Sequence, residues 1–271
     1  MTTDIPELAA YALVGFFHNF DVLLLIMVRL LAFFLLVPVL AGATIPVMPR
    51  IMLALSVAYM VFMSGVVGEI VYMPTVPIYF SLILTELIAG LMMGFMVYMA
   101  FAVIYFAGQI IDYQIGFMMA SLFDPISQIQ VPVVGNLLFF TMMALFVVTG
   151  GLASVIGAVV LSFQLAPIGQ IFILGNNLLL LYCLSMFTIY FFLGLQFALP
   201  IAGSLFIVNV MLGILVKAVP QMNIFVVGLP LKTFLGLSIM WFITPVFATY
   251  YFLIYDFAAE ALMSVVGGLP R

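Results

Sequence analysis

The fold is decided by residues 125–216, which read PISQIQVPVVGNLLFFTMMALFVVTGGLASVIGAVVLSFQLAPIGQIFILGNNLLLLYCLSMFTIYFFLGLQFALPIAGSLFIVNVMLGILV and carry no charged side chain. One helical crossing of a bilayer needs roughly 20 consecutive apolar residues, so this stretch has room for at least three. A transmembrane β-barrel would instead show segments of roughly ten residues in which apolar and polar side chains alternate. The run VLLLIMV, from Val22 to Val28, is apolar on every face. The pattern therefore predicts an α-helical membrane protein.

The composition agrees with this class. The chain has 271 residues, of which five are Lys or Arg and nine are Asp or Glu. Charged residues make up 5% of the chain, against about 25% in ordinary soluble domains. Hydrophobic residues reach 68%, and the mean hydropathy is +1.48. So few charges cannot cover a water-soluble surface, which excludes a soluble enzyme, a nucleic-acid binder, a disordered tail and a coiled coil as descriptions of the whole chain.

Groups that could perform catalysis or hold a cofactor are scarce. The single histidine, His18, excludes a metal site built from several histidines, and the single cysteine, Cys183, excludes an intrachain disulfide. Cys183 lies in an apolar run, where a thiol usually serves as a small buried apolar group. The sequence contains neither a glycine-rich phosphate loop nor a nucleophile motif. We therefore expect a protein that is not an enzyme and that needs no cofactor.

Proline, glycine and the few charges divide the chain into helices. Residues 171–216 are too many for one bilayer crossing at 1.5 Å per residue. Pro200 and Gly203 lie near the middle of this segment, so we predict two helices that meet there. We expect six to eight helical segments in one integral-membrane domain covering residues 1–271. The predicted apolar helices cover residues 9–38, 50–68, 78–111, 133–162, 171–199, 201–216 and 231–257.

Two charges inside apolar segments need a physical account, because a charge at the centre of a bilayer costs a few kcal/mol. Arg29 either pairs with an acid, Asp21 or Glu86, and holds helices in register, or it lines an ion path. Glu86, Gly90 and Gly94 recur every four residues and so share one helix face. Gly90 and Gly94 form a GxxxG step, which lets a second helix come close. The second helix could belong to this chain or to another subunit.

The stretch GQIIDYQIGFMMASLFDP, residues 108–125, is too polar for a lipid-facing helix and too apolar for a loop in water. Asp112 and Asp124 bracket its apolar middle. In lipid, irregular backbone is tolerated only where protein buries it or where it lines a cavity. Chemistry alone leaves two interpretations equal: an amphipathic connector at the membrane interface, or a re-entrant constriction. The constriction would be closed by Ile115, Phe117, Met118, Met119 and Phe123.

Three blocks of sequence go beyond general chemistry. The first is RLLAFFLLVP at 29–38. The second runs over 86–116, from ELIAG to AGQIIDYQIG, and is followed by FDP at 123–125. The third is VPQMNIFVVGLPLK at 219–232. In this order and spacing they resemble the FliR/SctT family, the export-gate subunits of flagellar and virulence type III secretion systems, over nearly the whole chain.

The resemblance implies a structural gate subunit rather than an enzyme. Family members sit in the bacterial inner membrane at the flagellar basal body and assemble with FliP-like, FliQ-like and FlhB-like subunits near an FlhA-like ring. They pass unfolded export substrates. Their fold resembles a fusion of the FliP-like and FliQ-like folds, with kinked helical hairpins. The third block looks more flagellar than injectisome, and the resemblance favours the constriction over the interfacial connector.

The resemblance and the chemistry of the residues together predict roles for particular positions. A narrow apolar throat loses its water and blocks ions, whereas an unfolded chain could displace flexible Phe and Met side chains. The expected gate residues are Asp112, Gln114, Ile115, Gly116, Phe117, Met118, Met119, Ala120, Ser121, Phe123, Asp124 and Pro125. The expected helix-packing and assembly residues are Arg29, Pro38, Glu86, Gly90 and Gly94. The expected partner contacts are Lys217, Pro220, Gln221, Asn223, Phe225 and Lys232.

Three other functions stay open. The chain could serve a virulence (SctT-type) export gate instead of a flagellar one. It could be a secondary transporter or ion channel with Arg29, Glu86 and Asp112 as coupling residues. Such transporters usually show repeat symmetry with paired broken helices, and no exact repeat is visible here. A purely structural membrane scaffold would show no leak when residues 115–123 are changed.

Overall fold

The structure is a computed structural model, which describes residues 5–42, 45–67, 76–117, 132–169, 177–221 and 223–267. The described residues form eight α-helices and no strand, so the predicted all-α class with six to eight helical segments is confirmed. The helices are α1 (Ile5–Leu36), α2 (Pro38–Ala41), α3 (Val47–Met63), α4 (Val76–Ile115), α5 (Val133–Val148), α6 (Gly151–Leu165), α7 (Asn177–Ala218) and α8 (Ile224–Gly267).

Four of the described helices are long and apolar enough to cross a membrane. Their apolar portions are Asn19–Leu36 in α1, Val76–Ile115 in α4, Leu181–Ala218 in α7 and Val226–Ser264 in α8. Because a helix satisfies most of its backbone polar groups internally, these segments can lie in lipid. The chain is therefore an integral membrane protein.

The predicted break at Pro200 and Gly203 is wrong. Helix α7 runs without interruption through both positions, so 171–199 and 201–216 are not separate helices. Proline removes one backbone hydrogen bond, but neighbouring groups can compensate in membrane helices. The hydrogen bond that Pro200 cannot make is the one to the Gln196 carbonyl. The Ser204 hydroxyl donates to the Pro200 carbonyl itself, at 2.7 Å, in the next turn. Buried side chains on both sides of the proline, including Ala198 and Ile201, keep the helix packed through this turn.

The predicted single helix over 133–162 is wrong as well, because the chain breaks at Thr149 and Gly150 to give α5 and α6. Gly150 has a φ of +78°, a left-handed conformation that glycine adopts without steric cost and that commonly ends helices. The Thr149 N–H still donates to the Leu145 carbonyl at 2.8 Å. The Thr149 hydroxyl also lies 2.5 Å from the hydroxyl of Tyr251.

Other helix ends differ from their predicted positions. Helix α4 continues to Ile115, so Asp112 is helical rather than part of a loop. Residues 217–230 were predicted to form a polar link, but α7 extends to Ala218 and α8 begins at Ile224. The first predicted helix, 9–38, ends at Leu36, because the residue before a proline disfavours the helical conformation.

The chain divides into two compact units. Unit one comprises Met1–Tyr98, Leu152–Cys183 and Ala259–Arg271, and unit two comprises Met99–Gly151 and Leu184–Ala258. The prediction of one export-gate domain over residues 1–271 stays a prediction. Fully buried apolar side chains in unit one include Ile26, Leu30, Phe33, Ala54, Ala58 and Phe163. Those in unit two include Ile104, Ile111, Ile115, Ile201, Leu205 and Ile254.

Within unit one, the two glycines of the GxxxG step allow α4 to approach α1 closely. A Cβ on Gly90 would collide with the carbonyl oxygen of Arg29 and would lie 2.7 Å from the Cβ of Ala32. A Cβ on Gly94 would lie 2.8 Å from the carbonyl oxygen of Phe33. Real Cβ atoms do not approach other heavy atoms so closely. The face of α4 that carries Gly90 and Gly94 therefore packs against α1 of the same chain rather than against another subunit.

Replacing Gly90 with alanine should lower the free energy of unfolding by about 1–3 kcal/mol, because the new methyl group must push α1 and α4 apart. The matched control is Gly157→Ala on α6, where a Cβ would meet nothing within 4 Å. The control should be neutral or slightly stabilising, since alanine favours helix over glycine. Thermal unfolding of both purified variants in detergent measures the difference. Equal melting temperatures would contradict the close helix approach.

Candidate functional site

A buried ion pair joins three helices of unit one. The Nε of Arg29 on α1 donates to Oε2 of Glu86 on α4 at 2.5 Å. The Arg29 side chain is 1% exposed and that of Glu86 is 0% exposed. Of the two acids predicted to pair with Arg29, Glu86 is thus the partner. An isolated charge at this depth would be costly, so each of these two charges depends on the other.

The remaining polar atoms of this pair are satisfied by the end of α6. The NH1 of Arg29 donates to the hydroxyl of Ser162 at 3.1 Å, and NH1 and NH2 both donate to the carbonyl of Ala166 at 3.1 Å. The guanidinium carbon lies 4.2 Å from the ring centroid of Phe163, a cation–π distance. The N–H of Gly169 donates to Oε1 of Glu86 at 3.3 Å. This arrangement favours helix registration over an ion path.

A second polar cluster lies in unit two at the end of α4. The Asp112 carboxylate accepts the N–H of Val134 through Oδ1 and the N–H of Gly135 through Oδ2, both at 2.9 Å. These are the second and third residues of α5, whose N-cap residue, Pro132, provides no side-chain cap. A carboxylate at a helix N-terminus accepts hydrogen bonds from N–H groups that have no partner within the helix. Its negative charge also interacts favourably with the positive end of the helix dipole. Asp112 therefore caps a different helix from its own.

Protein surrounds the Asp112 carboxylate. The side chain is fully buried. The approach of α5 depends on two glycines: a Cβ on Gly108 would lie 2.7 Å from the backbone nitrogen of Gly135. The two backbones come near enough for a short side chain on α4 to reach the first turn of α5.

The last turn of α4 contacts two further helices of unit two. The side-chain amide of Asn209 on α7 donates to the Gln114 carbonyl oxygen at 3.2 Å. The side chain of Ile115 is fully buried against Gly236 of α8, where an added Cβ would lie 2.6 Å from Ile115 Cγ1. Gly116 ends the helix with a φ of +95°, which strongly favours glycine, and Phe117 after it is half-buried.

The rest of the predicted gate residues, Met118, Met119, Ala120, Ser121, Phe123, Asp124 and Pro125, lie outside the described residues. The predicted gate segment begins at the end of α4. Its first residues are Asp112, Gln114 and Ile115 in the last turn of the helix and Gly116 directly after it. The gate assignment itself stays a prediction.

The predicted partner-contact residues occupy the end of α7, the short link and the start of α8. Lys217 is exposed in the last turn of α7, where a cation complements the helix dipole. Pro220, Gln221 and Asn223 are exposed in the link, whereas Lys232 is half-buried inside α8. Phe225 lies in the first turn of α8. Pro38, predicted for packing, is buried at the start of α2.

Several residues of these two clusters were not predicted. Ser162 and Phe163 complete the surroundings of Arg29, and Asn209 and Gly135 complete the end of α4. Ser162 stood at the end of a predicted apolar helix, where a lone serine gives no periodic signal. The glycines Gly108 and Gly135 could each have indicated a close backbone contact, but nothing in the sequence says that they meet each other.

Residues 20–256 match the family described as bacterial export proteins, family 1. The chain belongs to this family. The match covers all three sequence blocks that carried the predicted resemblance, and that prediction is confirmed.

Individual relatives of the bacterial export family agree. The chain is 33% identical to flagellar biosynthetic protein FliR of Bacillus subtilis over 218 residues, which cover 79% of this chain and 82% of the relative. It is 29% identical to FliR of Escherichia coli over 248 residues, 90% of this chain and 92% of the relative. Surface presentation of antigens protein SpaR of Shigella sonnei is 27% identical over 165 residues, 60% of this chain and 62% of the relative.

In this bacterial export protein, replacing Glu86 with leucine should cost about 3–5 kcal/mol of stability, because Arg29 would stay buried without its counter-charge. Replacing both residues, as Arg29→Met with Glu86→Leu, should recover much of the loss. The control is Asp256→Leu, which removes an exposed acid from α8. Thermal unfolding in detergent of the two single variants and the double variant gives the coupling energy. Additive effects would show that the pair does not act as a unit.

Proposed function

We propose that the chain is a structural subunit of a type III protein export gate that passes unfolded flagellar proteins across the bacterial inner membrane. Membership of the bacterial export family supports a role in export. The FliR relatives cover more of this chain than the SpaR relative does, which supports a flagellar rather than a virulence system. We assign the subunit no catalytic reaction; the energy for movement comes from the proton-motive force and partner proteins.

The structural observation that supports assembly with other subunits is the length of the exposed apolar helices. The apolar parts of α7 and α8 are 38 and 39 residues long, about twice the number needed for one bilayer crossing. Only 28% of the most apolar part of α7 and 11% of the most apolar part of α8 is buried inside the chain. Apolar surface beyond the thickness of the bilayer cannot face water at this scale. Other subunits must therefore cover it.

The chemistry of these surfaces supports a particular class of partner. Within the described part of α7, the exposed side chains are mostly apolar, among them Leu199, Phe206, Ile207, Met211 and Ile214. Such a surface fits other apolar helices, and we propose the FliP-like and FliQ-like subunits. The polar residues between Lys217 and Lys232 fit a separate contact, which we assign to an FlhB-like subunit or to the FlhA-like ring.

We further propose that residues 112–125 form the closed gate of this assembly. The segment begins at the last turn of α4, which contacts α5, α7 and α8. Its apolar residues would exclude water and ions, and an unfolded chain would displace them. A transporter that used Arg29, Glu86 and Asp112 as coupling residues would need at least one of them open to a solute. All three are buried with partners.

The affinity-tagged chain should copurify from its own cells with several small, strongly hydrophobic membrane proteins, and its deletion should abolish motility and flagellar export. Both follow from a subunit that completes an export channel. Mass spectrometry of the complex and a secretion assay measure the two results. A chain that purifies alone, together with normal export in the deletion strain, would contradict the proposal. Transport of a small solute by the chain alone would favour the transporter.

Changing Phe117, Met118 and Met119 to glycine should leave the complex assembled but open an ion leak, because the apolar throat would become wide and wet. Growth should slow, and conductance should appear in cells that make the whole gate. The control replaces Phe140, Val147 and Val148, exposed apolar residues of α5, with alanine. An assembled triple-glycine gate as ion-tight as the parent would exclude the gate role and favour the interfacial connector.

A further inference from the structure

We infer that Arg50, in the first turn of α3, binds the phosphate group of an anionic phospholipid and that the exposed side of α3 lies against acyl chains. This lipid site belongs wholly to unit one and does not depend on the proposed export role. Within the described part of the chain, the pair of Arg29 and Glu86 is the only ion pair, so Arg50 has no acidic partner there. A half-buried cation without a counter-charge needs an anion.

The bonds that Arg50 makes inside the chain are few and weak. Its NH2 group donates to the carbonyls of Gly42 and Ile45 at 3.4 Å each, whereas most N–H···O bonds are about 2.7–3.2 Å long. Its Nε atom is buried and has no partner among the described residues. A cation in the first turn also faces the positive end of the helix dipole. By contrast, all three guanidinium nitrogens of Arg29 have acceptors.

Helix α3 has the length of a single bilayer crossing. It contains 17 residues, which extend about 25 Å at 1.5 Å per residue. The hydrocarbon core of a bilayer is about 30 Å thick. With α3 in a bilayer, Arg50 lies near the headgroup level, where long basic side chains place their charge. The excess length that calls for protein partners on α7 and α8, which have 42 and 44 residues, is absent from α3.

The exposed side of α3 suits hydrocarbon. Large apolar side chains are exposed along its length, including Met48, Met52, Leu55, Met60 and Met63. The exposed Ser56 hydroxyl donates to the Met52 carbonyl at 2.8 Å, so it needs no partner in lipid. Tyr59, which is 54% exposed, lies one turn from the end of the helix, and tyrosine is enriched at membrane interfaces. A single cation at one end of an apolar surface matches a phospholipid, which has a charged headgroup and apolar tails.

The guanidinium of Arg50 suits a phosphate in particular. It is a planar fork of N–H donors that matches phosphate oxygens, and such charge-assisted bonds are strong. Both bonds that Arg50 makes within the described residues come from NH2, which leaves NH1 available to the ligand. A lipid with net negative charge satisfies the cation fully, whereas the phosphate of phosphatidylcholine is already balanced by its own choline.

Titration of the full-length chain with lipid tests the site. The chain, purified in an uncharged detergent, is titrated with phosphatidylglycerol, with phosphatidylcholine and with inorganic phosphate, and thermal unfolding and native mass spectrometry report binding. Arg50→Gln removes the charge and keeps an NH₂ group that can donate to the carbonyl of Gly42 or Ile45. Arg50→Lys keeps the charge without the planar fork. The charge-matched control is Lys217→Gln on α7, whose proposed protein partner is absent from the purified chain.

The parent chain should bind phosphatidylglycerol more tightly than phosphatidylcholine, and inorganic phosphate should not raise its melting temperature. Arg50→Gln should bind phosphatidylglycerol about 10-fold to 100-fold more weakly, in line with the loss of charge-assisted bonds. Arg50→Lys should fall between that variant and the parent, and Lys217→Gln should match the parent.

Three results of the titration would overturn the inference. The first is equal binding of the two lipids by the parent chain, and the second is unchanged binding of phosphatidylglycerol by Arg50→Gln. The third is a response to inorganic phosphate as large as the response to phosphatidylglycerol, which would make Arg50 a site for free anions. If Arg50→Gln does not fold, the weaker binding expected of Arg50→Lys decides in its place.

A cross-link in cells distinguishes lipid from a protein partner. A photoreactive amino acid in place of Met52 should cross-link phospholipid, identified by its mass, in cells that contain the usual partners of the chain. The same amino acid in place of Phe206, an exposed residue of α7, should cross-link protein. A protein cross-link at position 52 would assign the counter-charge of Arg50 to a partner's carboxylate and overturn the lipid site. A phospholipid cross-link at position 52 supports the site, whatever position 206 reports about the proposed assembly.

Discussion

The buried pair of Arg29 and Glu86 is the constraint on which unit one depends. Neither charge could stay at this depth alone, and each finds its partner on a different helix. Ser162 and the carbonyl of Ala166 bring the end of α6 to the same point. Buried pairs are weak sources of stability compared with apolar packing. Their value here is register, because only one alignment of α1 and α4 brings these two side chains together.

The glycines of α4 and the ion pair act together. Gly90 and Gly94 lie one and two turns after Glu86 on the same face, and both meet the backbone of α1 near or beyond Arg29. Because α1 and α4 approach each other closely, the short Glu86 side chain can reach the guanidinium of Arg29. The pair in turn prevents the smooth apolar surfaces of α1 and α4 from sliding. A similar device recurs in unit two, where Gly108 and Gly135 bring α5 within reach of Asp112.

The two clusters contrast with the outer surfaces of α7 and α8. Inside the two clusters, the charged and polar side chains are paired. Outside, long rows of Leu, Ile, Val and Phe remain uncovered over more residues than one bilayer crossing can shelter. Under the proposed function, the chain binds partner subunits over this surface. Its fold provides a scaffold whose exposed apolar helices are available to further subunits, as expected of a component of a multi-subunit export channel.

The sequence alone determined the fold class, the membrane environment and the family. It also singled out Arg29, Glu86 and Asp112, because a charge in an apolar helix is visible without coordinates. Helix ends near Pro200, Gly150 and Asp112 were misplaced, since packing and local hydrogen bonds decide whether a helix passes a proline or continues past an acid. Only the tertiary structure decided that Glu86 rather than Asp21 pairs with Arg29, and that Asp112 caps α5. Such partners lie far apart in the chain, and no local pattern determines which of them meet.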